Sequence, residues 1–243
     1  MTTIANNLQQ VLGRIAQACT DAGRGPADVA LLAVSKTFGA DAVMEAVTAG
    51  QRAFGENYIQ EGVDKILALR ASLPVSQPDV ALQWHCIGPI QSNKTRQVAE
   101  HFDWVHTVDR LKIAERLSAQ RPDHLPPLQI CIQVNVDGGT TKSGVPPAEV
   151  LDLARAVAKL PRLQVRGIMS IPDHAPDFEA QLAIHTSARS LFDQISALGE
   201  PGLEGFDTLS LGMTADLEAA IRAGSTMVRV GTGVFGGRTY PAP

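Results

Sequence analysis

The sequence predicts a single (β/α)8 barrel, of the TIM type, with an extra helix at its N-terminus. Three observations carry that expectation. Eight short runs rich in branched apolar residues are separated by helix-length amphipathic stretches, the alternation that builds a parallel sheet. Runs such as VALLAVS (29–35) and LQICIQVN (128–135) are almost continuously apolar, as strands buried on both faces are. The 243 residues, 44% of them apolar, are a length that an α/β barrel fills as one domain, 1–243. An open doubly wound sheet is the competing arrangement.

The first segment reads as a helix, because Ile4, Leu8, Val11, Leu12 and Ile15 recur at helical spacing before Gly23 and Gly25 end it. The expected strands then cover 29–35, 52–55, 82–87, 104–107, 129–135, 164–170, 208–211 and 227–231, the second being the most weakly patterned. Two of the intervening helices are legible. Val150, Leu151, Ala154 and Val157 form one apolar face before Pro161, and Leu182, Leu191, Phe192, Ile195 and Leu198 form another before Gly199. Ser92 reads as the N-cap of the helix after the third strand, with Lys94 exposed on it. The helix between the last two strands is expected to begin near Thr214 and end at Gly224. Asp216 and Glu218 would stabilise its first turn.

Composition narrows the classes of partner. The formal charge is −4, and Lys and Arg are scattered, so neither a nucleic acid nor an anionic membrane has a basic patch to bind; a small molecule is favoured. Cys19, Cys86 and Cys131 are odd in number and far apart, which suits a reducing compartment and forms no metal knuckle. The N-terminal stretch has no continuous apolar core of a leader, and no stretch is long enough to span a membrane. A cytoplasmic monomer is the resulting expectation.

In a parallel barrel the working groups sit where strands end. The first strand ends at Ser35-Lys36-Thr37, so Lys36 is a half-desolvated amine at the barrel mouth, able to attack a carbonyl or simply to reach solvent. The loops after strands 7 and 8 are the customary phosphate site of this fold. Here they offer the amides of Gly231 and Thr232 with the hydroxyls of Thr232 and Ser210. Arg229 interrupts an otherwise apolar strand, where a guanidinium needs a specific partner, and should point into the mouth toward a ligand. His85 reads as a buried, hydrogen-bonded histidine, Lys142 as a solvated loop lysine, and His101 and His106 as too isolated to bind metal.

The blocks AVSKT (33–37), FGENYIQE (54–61), WHCIGPIQSNK (84–94), RGIMSIP (166–172), SLGMTADLEAAI (210–221) and GSTMVRVGTGVFGGR (224–238) resemble the YggS/PROSC-type pyridoxal phosphate homeostasis proteins. The resemblance runs in order along nearly the whole chain. It implies the barrel of the alanine racemase N-terminal domain, holding pyridoxal 5′-phosphate (PLP) as a Schiff base on Lys36. It further implies that Ser210, Gly231 and Thr232 take the phosphate, that Arg229 faces the pyridine nitrogen and that Asn57 lies close to the cofactor. Phe38-Gly39 stands where many relatives carry Lys-Pro, so no second lysine is expected on that loop.

By the same resemblance the chain is expected to store PLP or hand it to apo-enzymes without turnover. An arginine beside the ring nitrogen weakens the electron sink that PLP enzymes use. The sequence has only Tyr58 and Tyr240 to serve as a second base, and it ends soon after Thr232. Two alternatives stay open: an amino-acid racemase or other PLP enzyme completed by a partner chain, and a cofactor-free aldolase using Lys36.

Overall fold

A computed structural model describes residues 3–72, 81–139 and 143–237. Its strands are β1 (Ala30–Val34), β2 (Ala53–Glu56), β3 (Gln83–Cys86), β4 (Trp104–Val108), β5 (Leu128–Gln133), β6 (Leu163–Met169), β7 (Thr208–Ser210) and β8 (Met227–Val230). Each pairs in parallel with its sequence neighbour, and β1 closes on β8 with Ala30 opposite Met227 and Leu32 opposite Arg229. The sheet is therefore a closed barrel, and the open alternative is excluded. Strand ends lie within two residues of the expected ones, and the starts at 104, 208 and 227 coincide with them.

The helices surround this barrel. They are α1 (Ile4–Asp21), α2 (Ala40–Thr48), α3 (Ile59–Ser72), α4 (Thr95–His101), α5 (Leu111–Gln120), α6 (Val150–Ala158), α7 (Phe178–Ala197), α8 (Leu217–Arg222) and the short α9 (Thr232–Phe235). The extra helix α1 is capped by Thr3, whose hydroxyl accepts from the Asn6 amide. It buries Leu8, Val11, Ile15, Ala18 and Cys19. Arg14 pairs with Glu218 of α8, so Glu218, in the first turn of its own helix as expected, also ties two helices together. Helix α7 is capped by Asp177 in the same way, its side chain accepting from the Ala180 amide.

Three details depart from the expected pattern. Leu12 and Leu198 are 39% and 54% exposed, because each sits at the margin of its apolar stripe and turns away from the barrel. Helix α4 starts at Thr95, not beside Ser92; the Ser92 carbonyl instead accepts from the Thr95 hydroxyl. Helix α8 starts at Leu217, three residues later than expected. Asp216 spends one carboxylate oxygen on the Met213 amide and the other on His185 Nε2, which tightens the preceding turn.

Two layers of core follow from strand alternation. Leu31, Ala33, Val228 and Val230 face the helices, whereas Leu32, Val34, Ile87 and Met227 pack together inside the barrel. Trp104, Cys131 and Met169 form a second interior group. This parity decides which side chains reach the mouth.

Candidate functional site

The strands open at their C-terminal ends into a cavity of about 490 Å³ lined by Val34, Lys36, Asn57, Ile87, Arg229, Gly231 and Thr232, with Ile171, Met213, Thr214 and Ala215. Alternation delivers the polar ones. Leu32 and Val34 point inward, so Lys36 follows them at the rim, half-buried. Ala53 and Gly55 are followed by Asn57, and Met227 and Arg229 by Gly231.

Lys36 is held by residues on either side of it. The Ser35 hydroxyl donates to Glu56 Oε1 at 2.6 Å, and the Ser35 carbonyl accepts from Lys65 Nζ at 2.7 Å. Thr37 has φ +69°, a left-handed conformation that costs a β-branched residue roughly 1–3 kcal/mol, and its amide donates to Glu61 at 2.5 Å. Lys65 closes the cluster, lying 2.6 Å from Glu56 and 2.8 Å from Glu61. Glu56 and Lys65 lie outside the barrel wall, between β2 and α3, almost wholly buried. Burial pushes the Glu56 carboxyl above the usual range and Lys65 pulls it back; its second oxygen, Oε2, has no partner among the described residues.

Asn57 is set by a close backbone approach. A Cβ on Gly88 would stand 2.0 Å from the Asn57 carbonyl oxygen, so only glycine allows β3 to leave the barrel beside it. The Asn57 side-chain oxygen is buried and lacks a hydrogen-bond partner among the described residues.

On the neighbouring strand β8, Arg229 lines the cavity floor at 3% exposure, as its place in the strand led us to expect. It donates to the Ser210 carbonyl and hydroxyl oxygens, both at 2.7 Å, and to the Ser170 carbonyl at 2.9 Å. All three acceptors are neutral. Burial lowers its pKa to about 10, which leaves it a cation at neutral pH. Beyond it the chain turns at Gly231 into α9, whose first amides have no acceptor within their own helix. A Cβ on Gly231 would meet the Val34 carbonyl oxygen at 3.3 Å, and the Thr232 hydroxyl donates to that of Thr214 at 3.3 Å.

Five of the six expected site residues thus share one cavity: Lys36, Asn57, Arg229, Gly231 and Thr232. Ser210 does not line it. As the last residue of β7 it faces the barrel interior, fully buried one layer beneath the mouth, and its hydroxyl serves Arg229. His85 is buried and hydrogen-bonded as read, but its partner is His106, which the spacing made look isolated. His85 Nδ1 and His106 Nε2 are 2.9 Å apart, and His106 Nδ1 is 3.2 Å from Ser210 Oγ. Burial holds both rings neutral, His85 at about 3 and His106 well below the ordinary histidine value. The signal available was strand adjacency: with His85 paired opposite Trp104, residue 106 falls on the same inward face.

Lys142 and Tyr240 lie outside the described residues. Among the described residues no group of three or more His, Cys, Asp or Glu side chains could hold a metal ion, and no helix is long and apolar enough to cross a membrane. A smaller cavity of about 230 Å³ adjoins the mouth, sharing Met213 and Ala215 and lined by His185 and Asp216.

A closed parallel barrel with a lysine at the tip of its first strand and an arginine on its last defines the class, and a family model described as the N-terminal domain of alanine racemase matches residues 5–239. Nearer relatives carry a more specific name. The chain is 52% identical to a pyridoxal phosphate homeostasis protein of Vibrio cholerae, over 99% of this chain and 98% of that one. It is 53% identical to the protein of the same name from Escherichia coli K12, over 99% of each. The structure of PipY from Synechococcus elongatus, with PLP bound, superposes with a TM-score of 0.77 at 35% identity, covering 91% of this chain and 100% of that one. The chain belongs to the pyridoxal phosphate homeostasis proteins of the alanine racemase N-terminal domain family.

Proposed function

We propose that this chain binds PLP in the mouth cavity through Lys36 and stores or hands on the cofactor to apo-enzymes, without turnover of its own. The observation that carries the reading is Arg229: a buried cation with only neutral hydrogen-bond partners, on the floor of a cavity whose rim bears a half-buried lysine. Such a cation asks for an electron-rich partner from outside the chain.

The donor set fits the cofactor end by end. Lys36 supplies the amine for its aldehyde, and Arg229 an N–H-rich cation for its ring nitrogen. The turn at Gly231 and Thr232 supplies amides and a hydroxyl for its phosphate. The orphaned oxygen of Asn57 awaits a donor. Ser210 contributes through Arg229. When bound, PLP supplies an electron sink for chemistry at an amine's α-carbon. Arg229 works against that use, since a fixed positive charge disfavours a proton on the ring nitrogen. The homeostasis names of the relatives and the PLP bound to PipY support the same reading.

Purified protein mixed with PLP should show a visible absorbance band. Borohydride should then fix the cofactor to the chain, with the added mass on the peptide containing Lys36. Racemisation of a panel of L-amino acids at high protein concentration should stay at background. A band without mass on Lys36, or brisk racemisation, would overturn the reading.

A further inference from the structure

The barrel interior holds two histidines that PLP binding at the mouth does not use. We infer that Ser210, His106 and His85 form a one-way hydrogen-bond chain behind Arg229, in which Ser210 and His106 are positioning residues that fix the guanidinium beneath its ligand. The inference rests on the mouth cavity being the PLP site, and it adds residues that never touch the cofactor.

The direction of the chain follows from what each group can donate. A guanidinium only donates, so Ser210 Oγ accepts from Arg229 at 2.7 Å. With its lone pairs turned to a fixed cation, the hydroxyl sends its proton away from the charge. His106 Nδ1 stands there at 3.2 Å. That nitrogen then accepts, which leaves the His106 proton on Nε2, 2.9 Å from His85 Nδ1. His85 in turn carries its proton on Nε2, an atom with no partner among the described residues. The opposite polarity would aim a His106 N–H at the oxygen that already faces Arg229, setting the imidazole dipole against the nearby charge.

Both rings stay neutral on burial, so the chain keeps its donors and acceptors through the physiological range. Trp104 stacks on His85 with ring centroids 5.2 Å apart and planes at 10°, and meets His106 at 6.0 Å, which fixes the ring planes. Two imidazoles in an interior whose other side chains include Leu32, Val34, Ile87, Met227, Trp104, Cys131 and Met169 are a poor way to fill space. As a brace for Arg229 they have a use.

The test needs no variant for its first readout. Nitrogen-15 NMR of histidine-labelled, cofactor-free protein should show His85 and His106 each protonated on Nε2 and bare on Nδ1; a protonated Nδ1 on His106 would overturn the chain. Next, His106→Leu should bind PLP about tenfold more weakly, the scale of one hydrogen bond to a charged group, and shift the visible band, while borohydride still marks Lys36. His106→Asn, which keeps an acceptor near the Nδ1 position, should recover most of the affinity. If His106→Leu does not fold, Ser210→Ala takes its place with the same expectation. Lower melting temperature with unchanged affinity and band would reduce the pair to core filling. Wild-type protein without a band would instead sink the PLP site, leaving the tautomers to judge the chain on their own.

Discussion

Two buried cations stand on opposite faces of the barrel wall, one on each side of β1, and the protein treats them differently. Lys65, outside the barrel wall, is met by two carboxylates at 2.6 and 2.8 Å. Arg229, inside, is met by two carbonyls and a hydroxyl, and no carboxylate is bonded to it among the described residues. A buried charge with a full set of counter-ions holds structure, here the turn that presents Lys36. One whose hydrogen bonds all go to neutral acceptors, with Asp216 acting on it only through space, leaves a place for an electron-rich partner from outside. The difference separates scaffold from site without reference to any ligand.

The comparison breaks most visibly at Lys65. Lys65→Met leaves Glu56 and Glu61 beside each other without their cation, and losing one partner of a buried pair costs about 3–5 kcal/mol. The loss should depend on pH in a definite direction. Glu56 already has a raised carboxyl pKa in the fold, so its contribution is complete below the ordinary value near 4.5 and is lost as pH rises through the folded value. Without Lys65 that folded value moves higher still, and the loss extends to higher pH. Urea unfolding of the cofactor-free variant should therefore show a larger penalty at pH 8 than at pH 5. An equal penalty at both would mean that Glu56 does not depend on Lys65.

Much of this was readable in advance. The barrel could be read from apolar runs like 29–35, because strands covered on both faces need no polar alternation. Lys36 could be placed by its position at the end of the first strand, and Arg229 as a charge set in an otherwise apolar run. What stayed hidden was every contact between elements. The Glu56–Lys65 pair depends on how α3 lies against β2, and the His85–His106 pair on β3 and β4 being in register. The depth of Ser210 depends on β7 ending one residue before the run of apolar residues suggests. None of these is a local property of the chain.

Arg229→Leu sharpens the contrast at a smaller magnitude. The change strands the Ser170 and Ser210 carbonyls, at about 1–3 kcal/mol for lost partners, but it also relieves the barrel of a desolvated cation. The cofactor-free variant should be less destabilised than Lys65→Met. PLP retention should nevertheless fall by tenfold or more. Paired unfolding curves and spectroscopic titrations read both quantities. A cost to the apo-fold exceeding that of Lys65→Met would contradict the assignment of Arg229 to the ligand.

The smallest effect is expected at Thr232. Its side chain is exposed, and its one described bond is the 3.3 Å contact with the Thr214 hydroxyl, so Thr232→Ala should change cofactor-free stability by less than about 0.5 kcal/mol. If the turn after β8 takes the phosphate, the same change removes a hydroxyl donor to a dianion and should weaken PLP binding by about 1–2 kcal/mol. Thr232→Ser, which keeps the hydroxyl and drops only a methyl group, should bind almost as wild type. Equilibrium dialysis against pyridoxal separates the ends of the ligand. That aldehyde lacks the phosphate, so its affinity should be the same for wild type, Thr232→Ala and Thr232→Ser. A Thr232→Ala penalty that persisted with pyridoxal would place the hydroxyl against the ring and move the phosphate away from the β8 turn.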